Sequence, residues 1–359
     1  MADSSLSWNL NKYRQLQLPH ADYLDDGHDH VVLAICLQGN YLVSASVDRT
    51  IRIWSLKTQQ LLQPALEGHT GSVRAVQFDA AANENVLISG DSEGDVIVWR
   101  FSLGEPIKII VKAHEGGACA GGLCSLHFDR KYLVTGGRQG EIKLWNRHTL
   151  RAHSADIPDF VARSAKNGRF PTYSRLATFN GHEKAVLALQ LKDDVLVSGS
   201  GDSKIHIRSL QTGAVMQVIG IHERGVACLQ YNGRFIVSGS SDDTIKIYDL
   251  DRNVEVARLE GHTNLIHSVQ ATFNADAEVD TIISGSYDGS IRVWKHLSGS
   301  TEWRTKCQLE ISGFMWEEDM YNDHEFGNRI NTIALDHQRL VCCGQGPMIR
   351  IWDFTLPRE

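Results

Sequence analysis

Seven times along this chain an apolar run passes through small residues into a polar turn, then ends on a short apolar strand closed by a bulky side chain. The clear copies are LVSASVDRTIRIW ending at Trp54, LISGDSEGDVIVW at Trp99, LVTGGRQGEIKLW at Trp145, IVSGSSDDTIKIY at Tyr248 and IISGSYDGSIRVW at Trp294. Weaker copies are LVSGSGDSKIHIR, ending at Arg208, and LVCCGQGPMIRIW, ending at Trp352. A histidine turn precedes six of the seven, at His28, His69, His114, His182, His222 and His262. Short-strand repeats with a period of about 40 to 45 residues mark a β-propeller, because one unit cannot bury its apolar faces alone. The expected fold is all-β with seven blades, and residues 1–359 are expected to form one domain.

The second repeat shows how a blade is built. Ser72–Phe78 reads as the inner strand, Asn85–Asp91 as the next, Asp95–Trp99 as the third, and the segment around Pro106–Ile110 as the outer strand. Strands apolar on nearly every residue fit blades covered on both faces. The spacing stretches twice, to 63 residues between Trp145 and Arg208 and to 58 between Trp294 and Trp352. Neither stretch holds an eighth copy, so both are read as insertions: a basic one at Arg147–Ser174 and an acidic, aromatic one at Gly313–Asn328. Too little chain follows Trp352 for an outer strand, while Tyr13–Leu18 has no inner strand ahead of it. The N-terminal segment, residues 1–19, is therefore expected to supply the last blade's outer strand and close the ring, which removes an exposed sheet edge.

The repeats also carry His, Ser or Thr, an acid and Trp at fixed relative positions. In the sixth these are His262, Ser284, Asp288 and Trp294, and in the first Asp48 and Trp54 hold the last two places. The set superficially resembles a hydrolase triad. A single active site needs one copy, however, and repetition points to a buried structural network in which indole, hydroxyl, imidazole and carboxylate satisfy one another. Asp48, Asp202, Asp242 and Asp288 occupy the acidic position; Glu93, Gln139 and Gly346 stand there in the other repeats, so the network is expected only in some blades. There is no P-loop, no G-x-S-x-G and no metal-ligand spacing. Neither catalysis nor a cofactor or metal is expected.

A net charge of −7 argues against a general nucleic-acid or membrane-surface binder. No apolar stretch approaches the ~20 residues needed to span a bilayer. The seven cysteines include no C-x-x-C pair and are expected to be reduced core thiols. With no signal-peptide core at the start, an intracellular protein, in cytoplasm or nucleus, is expected.

On its seven motif copies the chain resembles the WD-repeat family across residues 11–356. The stretch from Ser7 to Trp54, with LEGHTGSVRAVQFD and GDVIVWRFSLGE, resembles the propeller of fungal F-box/WD-repeat proteins. That resemblance implies a module that recognises substrate peptides or proteins, often phosphorylated, for a cullin-based ubiquitin ligase. No F-box is expected within this sequence, because the segment ahead of the first strand is too short to hold that helical module; an excised propeller, a truncated form and a relative that lost the module are the readings left open. The alternative is a free-standing WD-repeat scaffold of another intracellular complex, as a monomer or a subunit.

Propellers bind partners around the channel mouth on the face of the histidine turns. Two positions per repeat should point there, one on the inner strand and one just before the acidic position. They read Leu33 and Val47, Arg74 and Ser92, Cys124 and Arg138, Leu187 and Gly201, Ala227 and Ser241, His267 and Tyr287, Asn331 and Gln345. In phosphopeptide-reading relatives several are arginines, whose planar forks bind phosphate bidentately. Here Arg74 and Arg138 match, and Arg329 adds a third, although each arginine can equally pair locally. Together with His267, Tyr287, Asn331 and Trp316 of the acidic insertion, they form the candidate partner-binding set. The expected ligand is a protein or peptide read mainly by shape, with one anionic anchor.

Overall fold

The computed structural model describes residues 13–81, 83–114, 122–151, 157–162, 169–274, 276–296, 303–310 and 329–355. Among them, seven four-stranded antiparallel sheets follow one another as blades of a ring. Blade one comprises Val32–Gln38, Tyr41–Ser46, Ile51–Ser55 and a short outer strand, Gln60–Leu61. Blade two comprises Val73–Asp79, Val86–Asp91, Val96–Arg100 and Glu105–Ile110. The second strands are buried along almost their whole length, as expected where sheets pack on both faces.

The recurrent Ser-Gly of the motif has a steric cause. A Cβ on Gly90 would lie 2.7 Å from Leu123 of the next blade's inner strand, and one on Gly239 would lie 2.7 Å from Ile266. Gly136 meets Val186, and Gly199 meets Val226, at 2.8 Å. Each glycine is thus the floor on which a branched residue of the following blade sits. Around these contacts the cores form between blades: Val43, Ile51 and Ile53 of blade one pack with Val73, Leu87, Ile97 and Trp99 of blade two.

A polar side chain late in the inner strand adds a second lock between blades. Gln77 accepts from the Phe128 N–H at 2.8 Å and donates to its carbonyl at 3.2 Å. Gln190 accepts from the Tyr231 N–H at 2.6 Å, and Gln230 pairs in the same way with Ala271. In blade three His127 takes this role, its Nδ1 accepting from the Leu191 N–H at 3.2 Å. Burial lowers the His127 pKa to about 4, which suits an acceptor that must stay neutral.

The ring closes through the N-terminal strand. Arg14–Leu18 pairs antiparallel with Ile349–Asp353, from Arg14 opposite Asp353 to Leu18 opposite Ile349. Leu18 is fully buried among Val32, Leu42 and Trp54 of blade one and Val341 and Ile351 of blade seven. Asn331 and Thr332 of blade seven complete the seam by donating to the Val32 and Leu33 carbonyls, each at 3.0 Å. Six cysteines in the described residues are free thiols. Burial pushes Cys36 up to about 11 and Cys228 up to about 12, so both behave as small apolar side chains.

Of the basic insertion, Leu150–Arg151 pairs with Arg169–Phe170. The helical turn Asp159–Ala162 docks on blade four, where Asp159 N–H donates to the Gln211 carbonyl at 3.1 Å. The acidic insertion, including Trp316, lies outside the described residues.

Deleting residues 1–19 removes a whole outer strand and a buried leucine, and should lower the melting temperature by roughly 10 °C or more; an unchanged melt would contradict closure by this strand. His127→Gln restores the residue type used in blades two, four and five. Because the folded pKa of His127 lies below its unfolded value of 6.5, its contribution is present at neutral pH and is lost as pH falls from 6.5 towards 4. The variant should match wild type within roughly 1 kcal/mol at pH 7.5 and exceed it at pH 5 in denaturant titrations; parallel pH profiles would refute this role.

Candidate functional site

The face bearing the histidine turns is organised by the repeated polar set. In blade one Trp54 Nε1–H donates to Ser44 Oγ at 2.9 Å, Ser44 lies 2.8 Å from His28 Nε2, and His28 Nδ1 lies 2.7 Å from Asp48. Blade six repeats this with Trp294, Ser284, His262 and Asp288 at 2.8, 2.7 and 2.7 Å. A proton on Nδ1 is the tautomer that satisfies every partner, so the hydroxyl donates to Nε2 and accepts from the indole. Burial alone would raise the Asp48 and Asp288 carboxyls, but their hydrogen bonds to the histidine and to Thr50 or Ser290 hold both well below the usual range. Asp48 also caps the Asp29 and Thr50 N–H groups, so one carboxylate ties two turns together.

The network extends to blades where the acidic position is replaced. In blade two it is Asp91, not Glu93, that meets His69 Nδ1 at 3.0 Å. In blade three Glu141 reaches His114 at 2.6 Å, two residues beyond Gln139. Blades four and five keep the histidine, serine and aspartate but lose the indole. There the Arg208 guanidinium donates to the Gly213 and Asn180 carbonyls and lies 4.5 Å from the Phe179 ring centre. Tyr248 donates to Asn253 instead. Each His–Ser–Asp set is consumed by its own blade, with its donors and acceptors facing one another. No group of three or more His, Cys, Asp or Glu among the described residues is placed to hold a metal ion.

The candidate partner residues stand where this regular scaffold is locally interrupted. All seven inner strands carry a register shift at their second residue: Leu33, Arg74, Cys124, Leu187, Ala227, His267 and Asn331. A bulge releases one side chain from the ladder and re-aims it. The second position of each pair is anchored by its own backbone: Ser92, Arg138 and Tyr287 donate to the Ser72, Gly122 and Leu265 carbonyls at 2.9, 3.1 and 2.9 Å.

Arg74 and Arg138 are exposed. Burial raises the Cys124 thiol, and the charges of Arg74 and Arg138 act against that rise. Burial likewise raises Tyr287, with Arg329 and Arg74 opposing. Arg329 lies 5.1 Å from the Tyr287 ring centre, and the Tyr287 ring stacks on His267 at 5.1 Å and 10°. His267 Nδ1 is 2.5 Å from the Asn331 carbonyl oxygen, and burial lowers its pKa, so the stack rests on a neutral ring. Asn331 is buried, with its amide committed to Val32 and Gly344, so it forms wall rather than contact surface. Sequence reasoning missed the Arg329–Tyr287–His267 stack as a unit, because its members are separated by whole strands.

A family model described as the WD domain, G-beta repeat, matches residues 23–55, 60–100, 104–146, 173–209, 213–249 and 253–295. The chain belongs to the WD-repeat family. Blade seven lies outside these matches, and it has Cys342 where other blades carry the network serine, and Gly346 at the acidic position. Among relatives, a ribosome biogenesis protein WDR12 homolog of Culex quinquefasciatus is 23% identical over 282 residues, covering 76% of this chain and 64% of the relative. The WD repeat-containing protein pop2 of Schizosaccharomyces pombe is 28% identical over 195 residues, covering 51% of this chain and 26% of the relative. The chain thus spans less than two thirds of the length of these relatives. The WD40 β-propeller domain of Doa1 superposes with a TM-score of 0.68 at 18% identity, over 95% of this chain and 97% of that domain.

Asp48→Ala and Asp288→Ala each strand a buried imidazole and should cost about 2–4 kcal/mol in denaturant titrations at pH 7. Because both carboxyls are depressed in the folded state, that contribution is present above their unfolded pKa and disappears as pH falls through the folded value. A change near zero at pH 7 would show that the network is solvated.

Proposed function

We propose that this WD-repeat propeller is a non-catalytic protein-interaction module that holds a partner peptide across the channel mouth, anchored by one anionic side chain. What supports this reading is that Arg74 and Arg138 stand exposed on the inner-strand and turn positions of blades two and three, and that Arg329 lies 5.1 Å from the Tyr287 ring centre, in a chain whose net charge is −7. Guanidinium groups offer forked donors to a carboxylate or phosphate. Three of them on adjacent or facing blades suit one anion rather than a long, multiply phosphorylated segment. The remaining mouth positions, including Leu33, Leu187 and Ala227, are neutral, so the rest of the peptide is read by shape. In the manner of F-box/WD-repeat receptors, the captured peptide would belong to a substrate of a ubiquitin ligase.

A second reading draws on the relatives named for ribosome biogenesis. In it the same mouth holds a subunit of a ribosome-assembly complex, and the protein is a nuclear scaffold. Both readings need the arginines, and they differ in what is captured.

The test is affinity purification with mass spectrometry from cells expressing wild type or the Arg74→Glu, Arg138→Glu double variant. Both side chains are exposed, so the fold should be retained. Loss of a defined set of partners supports the mouth as the site, and the identity of the lost proteins, ligase substrates or assembly factors, chooses between the readings. Retention of every partner would rule the mouth out.

A further inference from the structure

The outer strand of each blade is a sheet edge, and blade two presents its edge differently from the others. Five of the six residues of Glu105–Ile110 are exposed. Ile107, Ile109 and Val111, at every second position, are 52%, 50% and 65% exposed. The cause lies in blade one. Ile109 pairs with Ile97, which is buried in the core between blades one and two, so Ile109 faces blade one. Blade one's outer strand is short, Gln60–Leu61; its continuation reaches an isolated bridge between Leu66 and Ile51 and sets Gln63 and Leu66 against Gly104, while Ile107 and Ile109 beyond that turn stay exposed. Blade four also exposes Val215, Met216 and Val218, but without charge on the strand. Blade five exposes Val254 and Val256, with Glu255 and Arg258 of opposite sign between and beside them. Among the described outer strands, only blade two combines exposed apolar residues with lysines.

Three further features define what would fit on blade two. First, the strand pairs on one side only, and its outward N–H and C=O groups have no backbone partner among the described residues. Second, Lys108 and Lys112 are exposed along this edge; Glu105 lies opposite Arg100 of the neighbouring strand, and Asp95 accepts from the Lys112 N–H at 2.6 Å, so two lysines face outwards with one carboxylate beside them. Third, Pro106 lacks an N–H, so new pairing is confined to the Ile107–Ile110 end of the strand. A second copy of this chain would bring two cationic strands edge to edge, which like-charge repulsion disfavours.

We infer that this edge accepts an extended segment of another protein as a fifth strand, one in which apolar residues alternate with acidic ones. Main-chain pairing supplies affinity, while the period-two alternation places the apolar side chains over Ile107, Ile109 and Val111 and the carboxylates near Lys108 and Lys112. The surface is on the rim, separate from the channel mouth, so the propeller can hold two partners at once.

The probes are two labelled synthetic peptides, one alternating valine with glutamate and one alternating valine with lysine, followed by fluorescence anisotropy and amide hydrogen exchange. The valine–glutamate peptide should bind and slow exchange within residues 107–110. Ile109→Asn should weaken it about tenfold, and Lys108→Glu should shift preference towards the lysine peptide. Both sites are exposed, so unchanged melting should show that each variant folds. Equal binding of both peptides, no binding, or indifference to Ile109→Asn would overturn the inference. So would protection confined to the mouth and lost in Arg74→Glu, or binding of anionic phospholipid vesicles that Ile109→Asn abolishes.

Discussion

The distance between neighbouring blades controls everything else in this molecule, and it is set by one contact: a small residue on each second strand against a branched residue on the next inner strand. With Gly90 against Leu123 or Gly239 against Ile266, any added carbon would force the sheets apart. Alanine stands in blade one, at Ala45, and Cys343 in blade seven, both still small. Held at that spacing, the inner strands come close enough for Gln77, His127, Gln190 and Gln230 to bridge main chain to main chain. The seam between blades seven and one obeys the same geometry, with Asn331 and Thr332 reaching Val32 and Leu33.

A rigid ring allows variation where side chains leave the ladder. At six of the seven inner-strand bulges the side chain does not close the ring, so arginine, leucine, cysteine, alanine and histidine can all stand there, whereas Asn331 at the seventh holds the seam to blade one. Substituting a network member, by contrast, strands a buried polar partner. This difference in cost explains why the motif is regular in its interior and irregular at the mouth. At the rim, exposed Ile107 and Ile109 on blade two's outer strand lie just past the turn where blade one's Gln63 and Leu66 meet Gly104.

The blades and their count could be read in the sequence because each copy restates the same constraint, and closure followed from strands that lacked neighbours. The acid of the network was less legible. Reading by fixed position gave Glu93 and Gln139 to blades two and three, whereas Asp91 and Glu141 do the work, because a carboxylate can reach the same imidazole from either flank of a tight turn. The inter-blade lock was also invisible beforehand: a glutamine in an apolar strand gives no sign of whether it faces solvent or a neighbouring main chain. Strand alternation singles out Arg74 and Arg138, and both are exposed. The commitment of Asn331 to the seam was not legible, since it depends on residues some 300 positions away in the chain.

The network also shapes the electrostatics of the mouth. Each complete set places one carboxylate beneath the histidine face, at Asp48, Asp91, Glu141, Asp202, Asp242 and Asp288, each held, against the effect of burial, below the usual carboxylate range by its hydrogen bonds, and at Asp48 the Arg52 guanidinium pairs with it at 3.2 Å. Blade seven has neither the histidine nor the acid, so this ring of charge has a gap. Arg329 stands at the start of blade seven, beside that gap, while Arg74 and Arg138 offset the carboxylates of blades two and three. On the side of blades four and five, the mouth positions Leu187, Gly201, Ala227 and Ser241 supply no compensating cation. The network aspartates are nearly buried, where salt screens charge less than at the surface, so their charge is offset unevenly around the ring.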